Sequence, residues 1–205
     1  MLAGPAFDAS VWELWPYLCI GSCIYVPDDD TRRTPSKLLR YFSDNSISIA
    51  FAPTPLAEAL LTTVMPADLR LRTLLTGGDR LHAFSGEPIS FNLVNHYGPT
   101  ESTVVTTCEI VDPESSESPT IGRPIDNTEV FILDQEMQPV PIGIPGEIYI
   151  AGVGLARGYR NRPDLTSARF INHEIEGRGC LRLYRTGDRA KYLQDGSIVF
   201  IDRID

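Results

Sequence analysis

Nowhere in its 205 residues does the sequence hold the ~18 consecutive apolar residues of a membrane span. No polybasic cluster is present that would suit an anionic lipid surface. Positive charge is scarce overall: 18 Lys and Arg stand against 27 Asp and Glu, for a net charge of -9. Such a chain gains nothing from a phosphate backbone, which argues against nucleic-acid binding. Cysteine is sparse too. Cys19 and Cys23 form the only close pair, with no histidine-rich partner and no second CxxC-type set, so a zinc site is not expected. The expectation is four reduced, mostly buried thiols. Asp8 and Glu13 interrupt the apolar N-terminus, which does not fit a signal peptide, and a soluble, cytoplasmic protein is expected. No internal repeat and no GxxxxGK phosphate loop occurs.

What is present is ordinary globular composition, 42% apolar and 22% charged, enough to bury a core in one domain or two small lobes. The character of the sequence changes near residue 110. Before it, helical and strand-like runs alternate. Leu38, Leu39 and Phe42 have helical spacing within Pro35–Asn45, with Thr34 placed to cap and Pro35 at the first helical position. Ile47–Ala52, Leu71–Thr76 and Phe91–Asn95 read as strands, and Leu56–Val64 as a helix. Gly77-Gly78 closes the second strand with a turn. This alternation argues for a parallel α/β sheet flanked by helices over residues 1–110. After the polar Asp112–Pro119 stretch, Glu129–Leu133, Gly146–Ala151, Leu181–Tyr184 and Ser197–Ile201 read as strands separated by Gly and Pro turns. Residues 111–205 are therefore expected to form a β-rich subdomain, a small distorted barrel.

Gly152, Gly154 and Gly158 follow a strand and imitate a dinucleotide-binding turn. That turn needs a helix behind it within a βαβ unit, and here Pro163 is expected to cut any helix short. A Rossmann reading is set aside on this ground.

Four segments carry chemistry: Phe7-Asp8-Ala9-Ser10-Val11-Trp12-Glu13, Asn95-His96-Tyr97-Gly98-Pro99-Thr100-Glu101, Gly146 through Tyr159, and Tyr184-Arg185-Thr186-Gly187-Asp188. A loop after a strand is where open α/β sheets bind ligands. There a tyrosine ring can stack on a purine, a threonine hydroxyl can donate to phosphate, and a glutamate can help hold magnesium. The bland alternative is a turn punctuated by Gly98-Pro99. Asp188 lies in a Thr-Gly-Asp turn, where a carboxylate can accept two ribose hydroxyls or form an ordinary Asx turn. Asp8 sits among apolar neighbours, a costly setting for a carboxylate without a cation. A substrate ammonium would supply that charge; an N-cap role for Asp8 is the alternative, and both can hold together.

In order and spacing these segments resemble the core motifs in the second half of the large lobe of adenylation domains, the adenylate-forming, AMP-binding enzymes of nonribosomal peptide synthetases. The resemblance covers essentially the whole chain. It implies that Asp8 fixes the substrate α-amine, and that Ala9, Trp12, Phe51, Leu75, Gly77, His96, Val104 and Val105 line the amino-acid pocket. It further implies that Gly78, Asn95, Tyr97, Asp188 and Arg203 bind nucleotide, with Asn95 reading the adenine amino group and Asp188 the ribose. Thr100 and Glu101 would handle phosphate and Mg2+, and Asp205 would be the hinge between lobes. All pocket positions but His96 are apolar or small, which favours an apolar substrate side chain. The combination is similar to pockets used for leucine, in which an amide often stands at the position of His96. Asp202 replaces the usual Gly before Arg203, placing a second carboxylate near a nucleotide site.

The resemblance implies ATP and Mg2+ as cofactors, and a peptidyl carrier protein, with its phosphopantetheine thiol, and a condensation domain as partners. The family's phosphate loop is expected before residue 1, and the small lobe with its lysine after residue 205. The chain alone is accordingly expected to be a poor catalyst or an inactive one. Two other readings stay open: a non-catalytic substrate-binding subdomain, and a fragment of an acyl-CoA synthetase-like ligase, against which Asp8 argues.

Overall fold

A computed structural model describes residues 1–82, 89–113, 115 and 117–204. The first elements are helical: α1 (Ala9–Cys19), α2 (Asp29–Arg33) and α3 (Pro35–Asp44). Strand β1 (Ile49–Pro53), helix α4 (Thr54–Leu61), strand β2 (Thr73–Gly77) and strand β3 (Asn92–Tyr97) follow. Thr34 occupies the N-cap of α3, as its sequence suggests, but its side chain makes no capping bond; Pro35 supplies the first turn. Strand β4 (Thr107–Ile110) leads through β5 (Arg123–Pro124) to β6 (Thr128–Leu133) and β7 (Gly146–Gly152). The chain ends with α5 (Pro163–Arg169), β8 (Phe170–Ile175), β9 (Gly179–Tyr192) and β10 (Ile198–Arg203).

These elements fall into two units: Met1–His96 with Glu109–Pro119, and Tyr97–Cys108 with Thr120–Asp205. In the first, β1, β2 and β3 pair in parallel, with Phe51 opposite Leu75, and Gly77 opposite both Pro53 and His96. Side chains alternate between faces. Ala52, Leu74 and Leu93 join the core made with Leu38, Leu39 and Phe42 of α3 and Ala57, Leu60 and Leu61 of α4. Phe51, Leu75, Gly77 and His96 therefore share the opposite face, and Asn95 lies on the core side, fully buried.

In the second unit, Thr107 and Cys108 of β4 pair antiparallel with β5, and a five-stranded antiparallel sheet runs β10-β9-β7-β6 with β8 also on β9. The expected distorted barrel is corrected here. Among the described residues the sheet is open, because β9 shares one edge between two strands. β8 pairs along Gly179–Tyr184 and β10 along Asp188–Tyr192, while β7 takes the other edge. The Thr186–Asp188 turn is likewise no turn. Thr186, Gly187 and Asp188 of β9 together stand opposite Ile148 of β7, a bulge that Gly187 accommodates at φ +79°. Pro163 begins a helix instead of ending one, since a proline's fixed φ and missing N–H suit the first helical position. The strand after that helix pairs with β9 and not β7, so no βαβ unit forms. Nor are the thiols mostly buried: Cys19, Cys23 and Cys180 are exposed and Cys108 is half-buried, all four free. Cys19 closes the exposed end of α1 and Cys180 opens β9, where no core faces them.

No helix among the described residues is long and apolar enough to cross a membrane.

Candidate functional site

The first unit holds the residues that the sequence assigns to an amino-acid pocket, Val104 and Val105 excepted. Asp8 is the N-cap residue of α1, and its side chain makes no capping hydrogen bond. One turn on, the Trp12 ring meets Phe51 edge-on at 5.4 Å and His96 at 4.7 Å. Helix α1 thus carries Asp8 and Trp12 to the sheet face of Phe51, Leu75, Gly77 and His96. Gly77 permits this approach of strands, since a Cβ there would lie 2.6 Å from the His96 carbonyl oxygen. Gly78 adopts φ +96°, and a Cβ on it would meet the Phe7 ring at 3.6 Å. His96 Nδ1 lies 3.3 Å from the Thr76 carbonyl oxygen and donates to it, because a carbonyl can only accept. Burial pulls the imidazole pKa below its ordinary value, so it is neutral at pH 7, its Nε2 left as acceptor.

A residue that sequence reading gave no role, Glu13, ties Leu2 and Ala3 to α1. Its buried carboxylate accepts the backbone N–H groups of Leu2 and Ala3 at 2.6 Å each. Burial raises its pKa, opposed by those two bonds. The available signal was an acid inside the apolar run Val11-Trp12-Glu13-Leu14-Trp15.

The second unit holds most of the residues assigned to nucleotide. Tyr97, Asp188 and Arg203 meet at one carboxylate: the Tyr97 hydroxyl donates to Asp188 Oδ2 at 2.5 Å and Arg203 Nη1 to Oδ1 at 3.0 Å. Burial, and then the Asp188 charge, push the Tyr97 phenol well above its ordinary pKa, so it stays a donor. The bulge that presents Asp188 is held by another residue missed in the sequence, Glu147. Its carboxylate accepts from Arg185 Nε at 3.0 Å and from the Gly187 N–H at 3.1 Å. Asp202 is paired with Arg189 through two bonds, of 2.9 and 2.6 Å. The extra carboxylate is thereby matched by a cation of the neighbouring strand.

Thr100 and Glu101 lie in a 3-10 turn, Thr100–Ser102. Thr103 and Val104 follow it at φ +55° and +71°. Two consecutive β-branched residues in the left-handed region mark a backbone held under strain by its surroundings. Gly98 is part of that holding: a Cβ there would sit 2.4 Å from the Val104 carbonyl oxygen and 2.7 Å from the Thr106 nitrogen. The Glu101 carboxylate accepts from the Tyr159 hydroxyl at 2.5 Å. Val104 and Val105 are half-buried in the same loop. Asp205 lies outside the described residues. Among the described residues no cluster of three or more His, Cys, Asp and Glu could hold a metal by itself. A single carboxylate such as that of Glu101 does fit Mg2+, which binds through one or two carboxylates together with substrate phosphates and water.

Parallel strands flanked by helices in one unit and an antiparallel sheet in the other define an α/β protein. A family model for AMP-binding enzymes matches residues 1–160. The chain belongs to that family, as a stretch of the adenylation domain that nonribosomal peptide synthetases carry. It is 53% identical over its whole length to a linear gramicidin synthase of Brevibacillus parabrevis, and 48% identical over 99% of its length to bacitracin synthase 1 of Bacillus licheniformis. It spans only 4% of each of those proteins. Among solved structures it is similar to PA1221, an NRPS protein containing adenylation and PCP domains, at 36% identity and a TM-score of 0.83. All of this chain and 43% of that one are covered. The Klebsiella oxytoca NpsA N-terminal subdomain, in complex with 3-hydroxybenzoyl-AMSN, matches 98% of this chain at 27% identity and a TM-score of 0.76, and is covered over 53% of its length.

Proposed function

We propose that the chain is the substrate-selecting and nucleotide-binding part of an enzyme that activates an amino acid with ATP and loads it onto a carrier-protein thiol. The observation that carries this reading is Asp8 at the head of α1, one helical turn from Trp12, which packs on Phe51 and His96. A carboxylate beside an otherwise apolar surface suits a zwitterion with an aliphatic side chain. The substrate ammonium offsets the charge, and the side chain meets Trp12, Phe51, Leu75 and Gly77. Leucine, or another bulky aliphatic amino acid, is the proposed substrate. One methylene changes discrimination by only about 1–3 kcal/mol, so near neighbours are accepted at reduced rates.

In the reaction a carboxylate oxygen of the amino acid attacks the α-phosphorus of ATP, and the bond to pyrophosphate breaks. Such a step depends on positioning and electrostatic stabilisation. Tyr97 stacks on adenine and Asp188 accepts the ribose hydroxyls. Arg203, already on Asp188, faces the ribose or phosphate. Thr100 donates to a phosphate oxygen, and Glu101 would hold Mg2+, which would supply positive charge against the phosphates. Asp205 would serve as the hinge residue. The aminoacyl group then passes to the phosphopantetheine thiol of a peptidyl carrier protein, with release of AMP, for use by a condensation domain in the cytoplasm.

Amino-acid-dependent ATP–pyrophosphate exchange tests the reading, with this chain alone and grafted into a complete adenylation domain. Exchange with leucine or a close aliphatic, in the graft only, is expected. A graft that folds and exchanges with no amino acid refutes the pocket assignment. Exchange with an aryl or fatty acid would favour the acyl-CoA synthetase-like alternative.

A further inference from the structure

The glycine-rich segment Gly152–Tyr159 has no nucleotide-binding βαβ unit to serve, yet it is anchored at several points. Arg182 stacks over the Phe170 ring at 4.5 Å and donates to the carbonyls of Ala156 at 2.8 Å and Arg157 at 3.0 Å. Thr166 Oγ1 accepts the Tyr159 N–H at 2.9 Å, and the Tyr159 ring packs edge-on against Phe170 at 5.8 Å. Gly158, at φ +139°, lies so close to Thr166 that a Cβ would come within 2.4 Å of that side chain.

This anchored loop grips the 3-10 turn and Thr103, which follows it, in three places. The Ala156 N–H donates to the Glu101 carbonyl at 2.8 Å, and Thr103 Oγ1 donates to the Gly154 carbonyl at 2.6 Å. The third contact differs in kind, because the Tyr159 hydroxyl donates to Glu101 Oε1. The other two contacts already fix the turn, so the phenol acts on the carboxylate alone. Tyr184 joins the same cluster, hydrogen-bonded to both Tyr159 and Glu101. A glutamate has three rotatable bonds, and phenols held on its carboxylate select its rotamer.

We propose that Tyr159 is a positioning residue, which aims the Glu101 carboxylate at the metal–phosphate group of the bound nucleotide. The inference rests on the reading of Glu101 given above. Partners that orient a metal-binding carboxylate typically change metal affinity by about 10–100-fold when removed. Tyr159→Phe keeps the ring against Phe170 and the other two contacts, and removes the hydroxyl that bonds Glu101 and Tyr184.

Calorimetry of ATP binding to this chain, with and without Mg2+, reads the effect. In Tyr159→Phe the gain in ATP affinity on adding Mg2+ is expected to shrink about tenfold or more, with metal-free AMP affinity unchanged. Glu101→Gln should lose the same gain, and the double variant should be no worse than Glu101→Gln alone. If Glu101→Gln loses the gain while Tyr159→Phe keeps it, Tyr159 does not position Glu101, and the functional reading stands. If Glu101→Gln keeps the gain, the metal role of Glu101 falls and the proposal with it. A second readout needs no nucleotide: the 13C carboxyl resonance of Glu101 should shift in Tyr159→Phe and stay in place in Val153→Ala, an exposed position of the same loop. An unmoved resonance in Tyr159→Phe overturns the proposal.

Discussion

A half-buried imidazole that donates its Nδ1 proton to the Thr76 carbonyl takes a second proton on Nε2, and burial opposes that charge by more than the carbonyl favours it. Burial holds the His96 pKa below the ~6.5 of an unfolded histidine. Between those two values the unfolded chain binds more protons than the folded one, so stability rises with pH across the window. The contribution is complete above about pH 6.5 and is lost as pH falls through the lower, folded-state value. Urea midpoints measured from pH 7 downward should therefore fall less steeply in His96→Gln than in the parent chain. An identical slope would mean that His96 is freely solvated. The identity of His96 and its departure from an amide were plain in the sequence; its tautomer was not, because that depends on a carbonyl of the neighbouring strand. Glu13 shows the same limit. An acid in an apolar run signals a buried partner, but the partners are backbone N–H groups near the start of the chain, which carry no residue signature.

Elements bounded by simple patterns were legible. The three parallel strands lie within two residues of their expected starts, because short β-branched runs closed by Gly or Pro leave few alternatives. Helix α5 and strand β8 were not legible, since a Pro within a basic stretch reads as a breaker until its place at the first helical turn is known. The length of β9 was hidden by Thr186-Gly187-Asp188, a turn-like triplet used as a bulge. The loop Tyr97–Thr106 combines both kinds of information. Gly98 was read as turn punctuation, and the structure gives it a steric duty against Val104 and Thr106. Gly98→Ala should destabilise the second unit by roughly 1–3 kcal/mol, the usual cost of an added group in a packed site. Thermal unfolding would register that loss, and affinity for AMP should fall with it. An unchanged melting temperature would show that the loop yields at little cost.

For the whole chain, the parallel α/β character of the first unit and the β-rich character of the second were both legible. The division was not, because Glu109–Pro119 returns to the first unit, where the Val111 N–H pairs with the Leu93 carbonyl. Surface exposure adds an expectation of its own. Trp15, Leu18, Ile20 and Val26 are each about half exposed or more, and Ile20 with Tyr25 borders a cavity of about 520 Å³ in the first unit. Apolar groups concentrated in this way favour association. Sedimentation should show concentration-dependent self-association that Ile20→Lys with Val26→Lys reduces; a monomer at all concentrations would oppose this. The claim on which the functional account turns is that Asp8 receives a substrate ammonium. Calorimetry with a non-hydrolysable leucyl-adenylate mimic and its des-amino counterpart, on the parent chain and on Asp8→Ala, tests it most directly. The account predicts that the parent chain prefers the amino form by about a hundredfold, the scale of a desolvated charge pair, and that Asp8→Ala abolishes the preference. Equal affinity of the parent chain for both mimics would contradict it.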